Sequence, residues 1–201
     1  FVPRKWPREL AFRGGAVTLS DAGTAANRRY QVDIDDVTVA IDGEGSLRRL
    51  RGAVELGDGF ALAGADLRFD AAAIPFRVPR QLDLVLSATG MRVVKAPTST
   101  AWRLSGGLEL VSGRYFRAFD VGELLRPAAA SGGSGKPFWE EYPTLAATDL
   151  DLVVDVRQFA ATNNVFNIDT RGKVRVTGSP RDPRIDGEIR LTRGSFKLPF
   201  S

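Results

Sequence analysis

From Gly172 to Phe196 the chain reads "GKVRVTGSPRDPRIDGEIRLTRGSF", apolar and polar residues taking turns almost without a break. Side chains two apart along a strand share a face, so this pattern calls for extended backbone with one apolar side and one solvated side. The period returns in "LDLVLS" through Leu82, Leu84 and Leu86, and in "LDLVVDV" through Leu150, Leu152, Val154 and Val156. In "YQVDIDDVTVAID" Val32 and Ile34 lie on one face, and a slip at Asp35–Asp36 returns Val37, Val39 and Ile41 to the row. Such a slip predicts a β-bulge.

Glycines punctuate these runs. Gly107 and Gly113 flank "LELVS", Gly187 and Gly194 flank "EIRLTR", and Gly52 opens "GAVELGDGFALAG". Because glycine tolerates positive φ, each is expected to mark a short turn between strands. In "SPRDP", Pro180 and Pro183 lack the N–H that a ladder needs and are expected outside the strands.

Helical signal is confined to "FDVGELLRP", where Asp120 could cap a turn carrying Leu124 and Leu125 before Pro127 ends it. "AAASGGSGKP" then reads as a flexible loop, followed by Phe138, Trp139 and Tyr142. Residues 120–149 are therefore expected to be a helix and loop insertion within a single unit spanning 1–201. The chain opens on Phe1 without a signal sequence, so the expectation is a segment of a longer protein.

The fold expected is all-β: a long antiparallel sheet of about a dozen strands, curled because twist prevents so many from lying flat. Its apolar face can be covered by a second sheet, by barrel closure, or by curling into a trough that holds something else. At 201 residues and 43% hydrophobic, the chain is long enough to bury a core.

Histidine and cysteine are both absent. That removes the commonest acid/base, the commonest metal ligands and the thiol nucleophile together, so an enzyme is disfavoured and no catalytic residue, metal or cofactor is assigned. "ASGGSGKP" ends in Gly-Lys like a phosphate-binding loop, but Ala130 stands at the first glycine position and Pro137 where Ser or Thr would reach the metal. Asp33, Asp35 and Asp36 do not fit a calcium loop, since Thr38 occupies the place of its glycine. The adjacent pairs Asp35–Asp36 and Glu140–Glu141 face opposite ways on a strand, unlike the converging carboxylates of a glycosidase.

The formal charge is +4, with Arg28–Arg29, Arg48–Arg49 and the alternating Arg171, Lys173 and Arg175 prominent. Cations opposite an apolar row are the solvated face of a strand and also discourage edge pairing. The lesser reading is attraction to anionic lipid head groups; no module or aromatic-basic pattern points to nucleic acid.

"VRVTGSPRDPRIDGEIRLTRGSFKL", Val174 to Leu198, resembles the repeated signature of the TamB family: a strand, Thr-Gly, a proline-containing turn, "GEIRL", then Arg-Gly-x-Phe. "SGGLELVSGRYFRAFDV" is similar to a weaker variant of it, and the resemblance runs from about Leu82 onward. It implies a taco-shaped sheet in the periplasm of a diderm bacterium, tethered to the inner membrane by a segment not in this chain. It further implies a hydrophobic groove carrying phospholipid to the outer membrane, and an Omp85-type barrel, TamA-like, as partner.

On that reading, phospholipid acyl chains lie along Leu82, Leu84, Leu86, Leu104, Leu110, Leu152, Val154, Val174, Val176, Ile189, Leu191, Phe196 and Leu198. Taken as residues alone, the same set reads first as a sandwich core packed against itself, and it is the resemblance that turns the reading to a groove. Phe138, Trp139 and Tyr142 either pin the insertion to the sheet or gate the groove. Three other functions stay open: an assembly factor for outer-membrane barrels acting by strand augmentation, a structural or adhesive β-repeat, and a hydrolase on a β scaffold.

Overall fold

A computed structural model describes residues 10–24, 28–41, 44–78, 82–116, 146–162 and 166–196. Ten strands lie among them: β1 (Leu10–Arg13), β2 (Ala16–Asp21), β3 (Tyr30–Ile41), β4 (Gly45–Leu56), β5 (Leu62–Val78), β6 (Leu82–Lys95), β7 (Trp102–Tyr115), β8 (Asp149–Thr162), β9 (Phe166–Ser179) and β10 (Asp182–Phe196). A 3₁₀ turn, Asp58–Phe60, sits between β4 and β5. The strands form one open sheet in the order β1-β3-β4-β5-β6-β7-β8-β9-β10, with β2 beside β1 on the same flank of β3. Among the described residues its two edges do not pair, so these strands form neither a closed barrel nor two separate sheets.

Neighbours in sequence are neighbours in space, as short hairpins require. All pairs run antiparallel except β7 and β8, which run parallel, with Arg103 beside Asp149 and Tyr115 beside Ala161. This departs from the fully antiparallel expectation. Strand β8 begins next to the beginning of β7, with Leu104 beside Leu150. The expected helix at Asp120–Pro127 and the rest of the insertion lie outside the described residues, apart from a short stretch before β8.

The bulge anticipated at Asp35–Asp36 is present: the β3–β4 register shifts between Ile34 and Val37, and Asp36 has φ 49°. It is the first of a series. Registers shift again at Arg48–Arg49 of β4, at Ala72–Ala73 of β5 and at Thr89–Gly90 of β6. Further shifts fall at Val111–Ser112 of β7, at Arg157–Gln158 of β8 and near Thr192 of β10. Each bulge bends its strand and sharpens the local twist. Falling in the interior of β3 to β8 and of β10, they mark a crease across the sheet, and the chain ends of the strands are its two lips. On the first flank the corner Gly14–Gly15, which separates β1 from β2, packs against the bulge of β3.

The glycines expected to mark turns lie inside strands instead. Gly52 is in β4, Gly107 and Gly113 are in β7, and Gly187 and Gly194 are in β10. Gly52 (φ 133°) and Gly187 (φ 142°) show why: a Cβ at either position would run into a carbonyl oxygen of the next strand, Asp66 for the first and Lys173 for the second. There glycine serves close backbone approach rather than chain reversal. Pro180 does occupy the β9–β10 turn, but Pro183 is the second residue of the edge strand β10, where a missing N–H is tolerated.

Candidate functional site: the apolar face

Paired residues of a ladder share a face, so the registers decide which side chains stand together. One row runs Ile34, Gly52, Leu67, Val93, Leu104, Leu150, Gly178 and Pro183 from β3 to β10. A row nearer the other lip runs Leu86, Leu110, Val156, Gly172 and Ile189. Between them lies Val39, Leu47, Ala71, Ala88, Leu108, Val154, Val174 and Gly187. Every bulge inserts residues without inverting the rows, and the apolar side stays continuous across the sheet.

All of Leu82, Leu84, Leu86, Leu104, Leu110, Leu152, Val154, Val174, Val176, Ile189, Leu191 and Phe196 fall on this face. Leu198, Phe138, Trp139 and Tyr142 lie outside the described residues. The face reaches well beyond the expected strip. Val32, Val37 and Val39 of β3, Leu47 of β4 and Leu67, Phe69 and Phe76 of β5 belong to it, as do Leu108, Phe159 and Ile168 further along. Their alternation was visible in the sequence, but nothing local showed that the first strands join the same sheet as the last.

No second layer covers this face among the described residues. None of their large side chains is fully buried, and the buried apolar set is small: Val37, Val39 and Met91, close to the crease, with Ala65, Ala88, Ala146 and Ala161. Through β3–β9 the apolar side chains are mostly half-buried. At the flanks they are open: Phe12 is 69% exposed, Leu191 67% and Phe196 72%. A sandwich of this size would bury many Leu, Ile and Phe residues completely.

The opposite face is polar and laced by cross-strand ion pairs. Arg92 grips Asp66 through two hydrogen bonds of 2.9 and 2.6 Å, and Arg175 grips Asp151 at 2.9 and 3.1 Å. Arg103 meets Asp149 at 3.1 Å and Arg157 meets Glu109 at 2.8 Å. The hydrogen-bonded Arg92 guanidinium outweighs partial desolvation and holds the Asp66 carboxyl below the ordinary carboxylate range. Burial pushes the Asp70 carboxyl up, but the Gly90 N–H at 2.8 Å and the Arg49 guanidinium together bring it below its usual value. Gly90 and Arg49 are themselves bulge residues with positive φ, so Asp70 links the bulges of the strands on either side of it. A hollow of about 420 Å³ near Arg92, Val94, Arg103 and Asp149 is lined by charged groups that are already paired, Arg92 with Asp66 and Arg103 with Asp149.

The sequence model of the TamB C-terminal domain matches residues 35–201. The chain belongs to that family. The match takes in β4 and β5 and most of β3, so the TamB relationship extends far upstream of Leu82, where the resemblance of motifs begins. Searches of curated proteins and of solved structures find no match. TamB proteins act in outer-membrane assembly and lipid transport, and are inner-membrane-anchored proteins of the periplasm that work with TamA. No helix among the described residues of this TamB domain is long and apolar enough to cross a membrane.

Proposed function

We propose that this domain is a non-enzymatic section of a periplasm-spanning lipid conduit, its apolar face holding phospholipid acyl chains on their way between the inner and outer membranes. The observation that carries the reading is the continuous apolar face of β3–β10, uncovered among the described residues. Each methylene withdrawn from water is worth about 0.8 kcal/mol, so an acyl chain lying on such a face is held without any directional contact. Because the rows repeat from strand to strand, a lipid that moves one strand along exchanges one set of aliphatic neighbours for another. Its energy changes little, which suits passage better than capture.

The test is native mass spectrometry with lipid extraction on the domain purified from bacterial membranes, beside Leu110→Arg on the apolar face and Val153→Arg on the polar one. Phospholipid is expected with the wild type and Val153→Arg, and lost from Leu110→Arg. Leu191→Arg, at an open position of β10, covers the case in which Leu110→Arg does not fold. Lipid-free wild type, or equal retention by folded variants on both faces, would refute the conduit.

A second reading, strand augmentation of a barrel partner such as TamA, is favoured by β10. All fifteen of its residues are exposed and its outer edge is unpaired among the described residues. An extended segment could add there through main-chain hydrogen bonds. It needs the edge rather than the face, so Leu110→Arg should leave it intact.

A further inference from the structure

We propose that Lys95 is a phosphate anchor on one lip of the apolar face, binding the phosphodiester headgroup of a glycerophospholipid whose acyl chains lie inward on the face. The proposal rests on the conduit reading and says which end of the lipid goes where.

Lys95 is out of place. It follows Val93 by two residues in β6 and pairs with Ala65 of β5 on one side and Trp102 of β7 on the other, all on the apolar face. Among the described residues it is the one charged group on that face from β3 to β10. On the polar face Arg49, Arg92, Arg103, Arg157 and Arg175 each meet a carboxylate, but Lys95 does not: its ammonium donates to the Ala63 carbonyl oxygen at 2.5 Å, and no Asp or Glu of the described residues pairs with it. An ammonium carries three donors, which leaves two for a ligand. A half-buried cation lacking a counter-ion is unfavourable on an apolar surface. An anion seated there would remove that penalty, and the charge itself selects the sign of the ligand.

The surroundings select its shape. The lip around Lys95 has the mixed aromatic and polar character of a membrane interface, where rings with one apolar and one wet end accumulate. Trp102 faces Lys95 in register, and at the same lip Tyr30 stacks on Phe60 with ring centroids 4.9 Å apart. The next rows inward are purely apolar: Leu67, Val93 and Leu104, then Phe69 and Met91. Lys95 stands five residues from the Gly90 bulge, or about 17 Å of strand. That is close to the acyl depth of one leaflet, about half of a 30 Å hydrocarbon core. A cation at the lip and an apolar run of one chain length ending at the crease fit an amphiphile with a single anionic head.

Lys95→Met, Lys95→Glu and Lys95→Arg separate this from a general greasy surface. The readout is binding of a fluorescent phosphatidylglycerol from vesicles, compared with a diacylglycerol carrying the same acyl chains, with inorganic phosphate as competitor. Losing a charged hydrogen bond is expected to weaken phosphatidylglycerol binding by Lys95→Met about tenfold. Lys95→Glu should weaken it further, Lys95→Arg should restore it, and diacylglycerol binding should change less than twofold throughout. Inorganic phosphate at millimolar concentration should not displace the lipid; if it does, Lys95 is a free-anion site and the proposal is wrong. Equal loss of both lipids in folded Lys95→Met, or no loss of either, overturns the anchor while leaving the conduit standing. Failure of the wild type to bind either lipid overturns both.

Discussion

Strands β1 and β2 cover the first flank of the sheet with four and six residues, parted by the Gly14–Gly15 corner, whereas β10 ends the other flank with fifteen residues in one run. Short, broken edges are poor templates for another strand, and long ones are good templates. One flank is therefore blunted and the other is left able to pair. Strand β10 does carry edge protection of its own: Pro183 near its start, charges at Arg184, Asp186, Glu188 and Arg190, and the shift near Thr192. These devices discourage indiscriminate pairing without removing the ladder of main-chain groups.

The sharpest way to break this comparison uses one backbone device in two places. Gly52 lies in the interior strand β4 and Gly187 in the edge strand β10, both with positive φ and both pressed against a neighbouring carbonyl. Gly52→Ala is expected to lose about 3 kcal/mol or more in urea unfolding, because neither Asp66 nor the strands beyond it can retreat. Gly187→Ala should lose about 1 kcal/mol and speed amide exchange in β10 alone, since an edge strand can shift outward. Equal losses would mean that β10 is as integral to the fold as β4.

A second measurement addresses pairing. Ile189 is 59% exposed on the apolar side of β10, and Ile189→Lys is expected to change stability by no more than about 0.5 kcal/mol. It should nevertheless reduce concentration-dependent association in analytical ultracentrifugation, which the corresponding charge at the blunted flank, Leu19→Lys, should not do. If both variants behave alike, the two edges are equivalent.

The smallest effect is electrostatic and compares interior with edge again. Asp66 and Asp70 have folded pKa values below the ordinary 3.8, so each contributes stability above the unfolded pKa and loses it as pH falls through the folded value. Acidification from about pH 5 to below 3 should lower the melting midpoint, and Asp66→Asn should flatten that decline while lowering the midpoint at pH 7 by roughly 1–2 °C. The pair Glu188–Arg190 is confined to one exposed strand, and Glu188→Gln should leave the melting midpoint at pH 7 unchanged.

Much of this architecture was legible before any coordinates. Alternation assigned Leu82 through Phe196 to one face, and the doubled Asp35–Asp36 marked its bulge, because each depends only on side-chain period. Partnership is another matter. Parallel and antiparallel strands share a period of two, so "LDLVVDV" gave no sign that β8 would lie parallel to β7. Glycine is ambiguous at Gly52, Gly107, Gly113, Gly187 and Gly194 for a related reason: a turn and a tight inter-strand approach both select it, and only the neighbour distinguishes them. Lys95 does not stand out in the sequence, because a lysine at the end of a β-strand looks solvated until the register shows which face it shares.

The parallel step at β7–β8 also settles a matter of parity. Nine layers alternating strictly would begin and end on strands of the same direction; one parallel step inverts that, so β10 runs opposite to β1 and β2. A strand that joins β10 in antiparallel fashion therefore travels as β1 and β2 do, and the sheet passes on at its far side the same polarity with which it began.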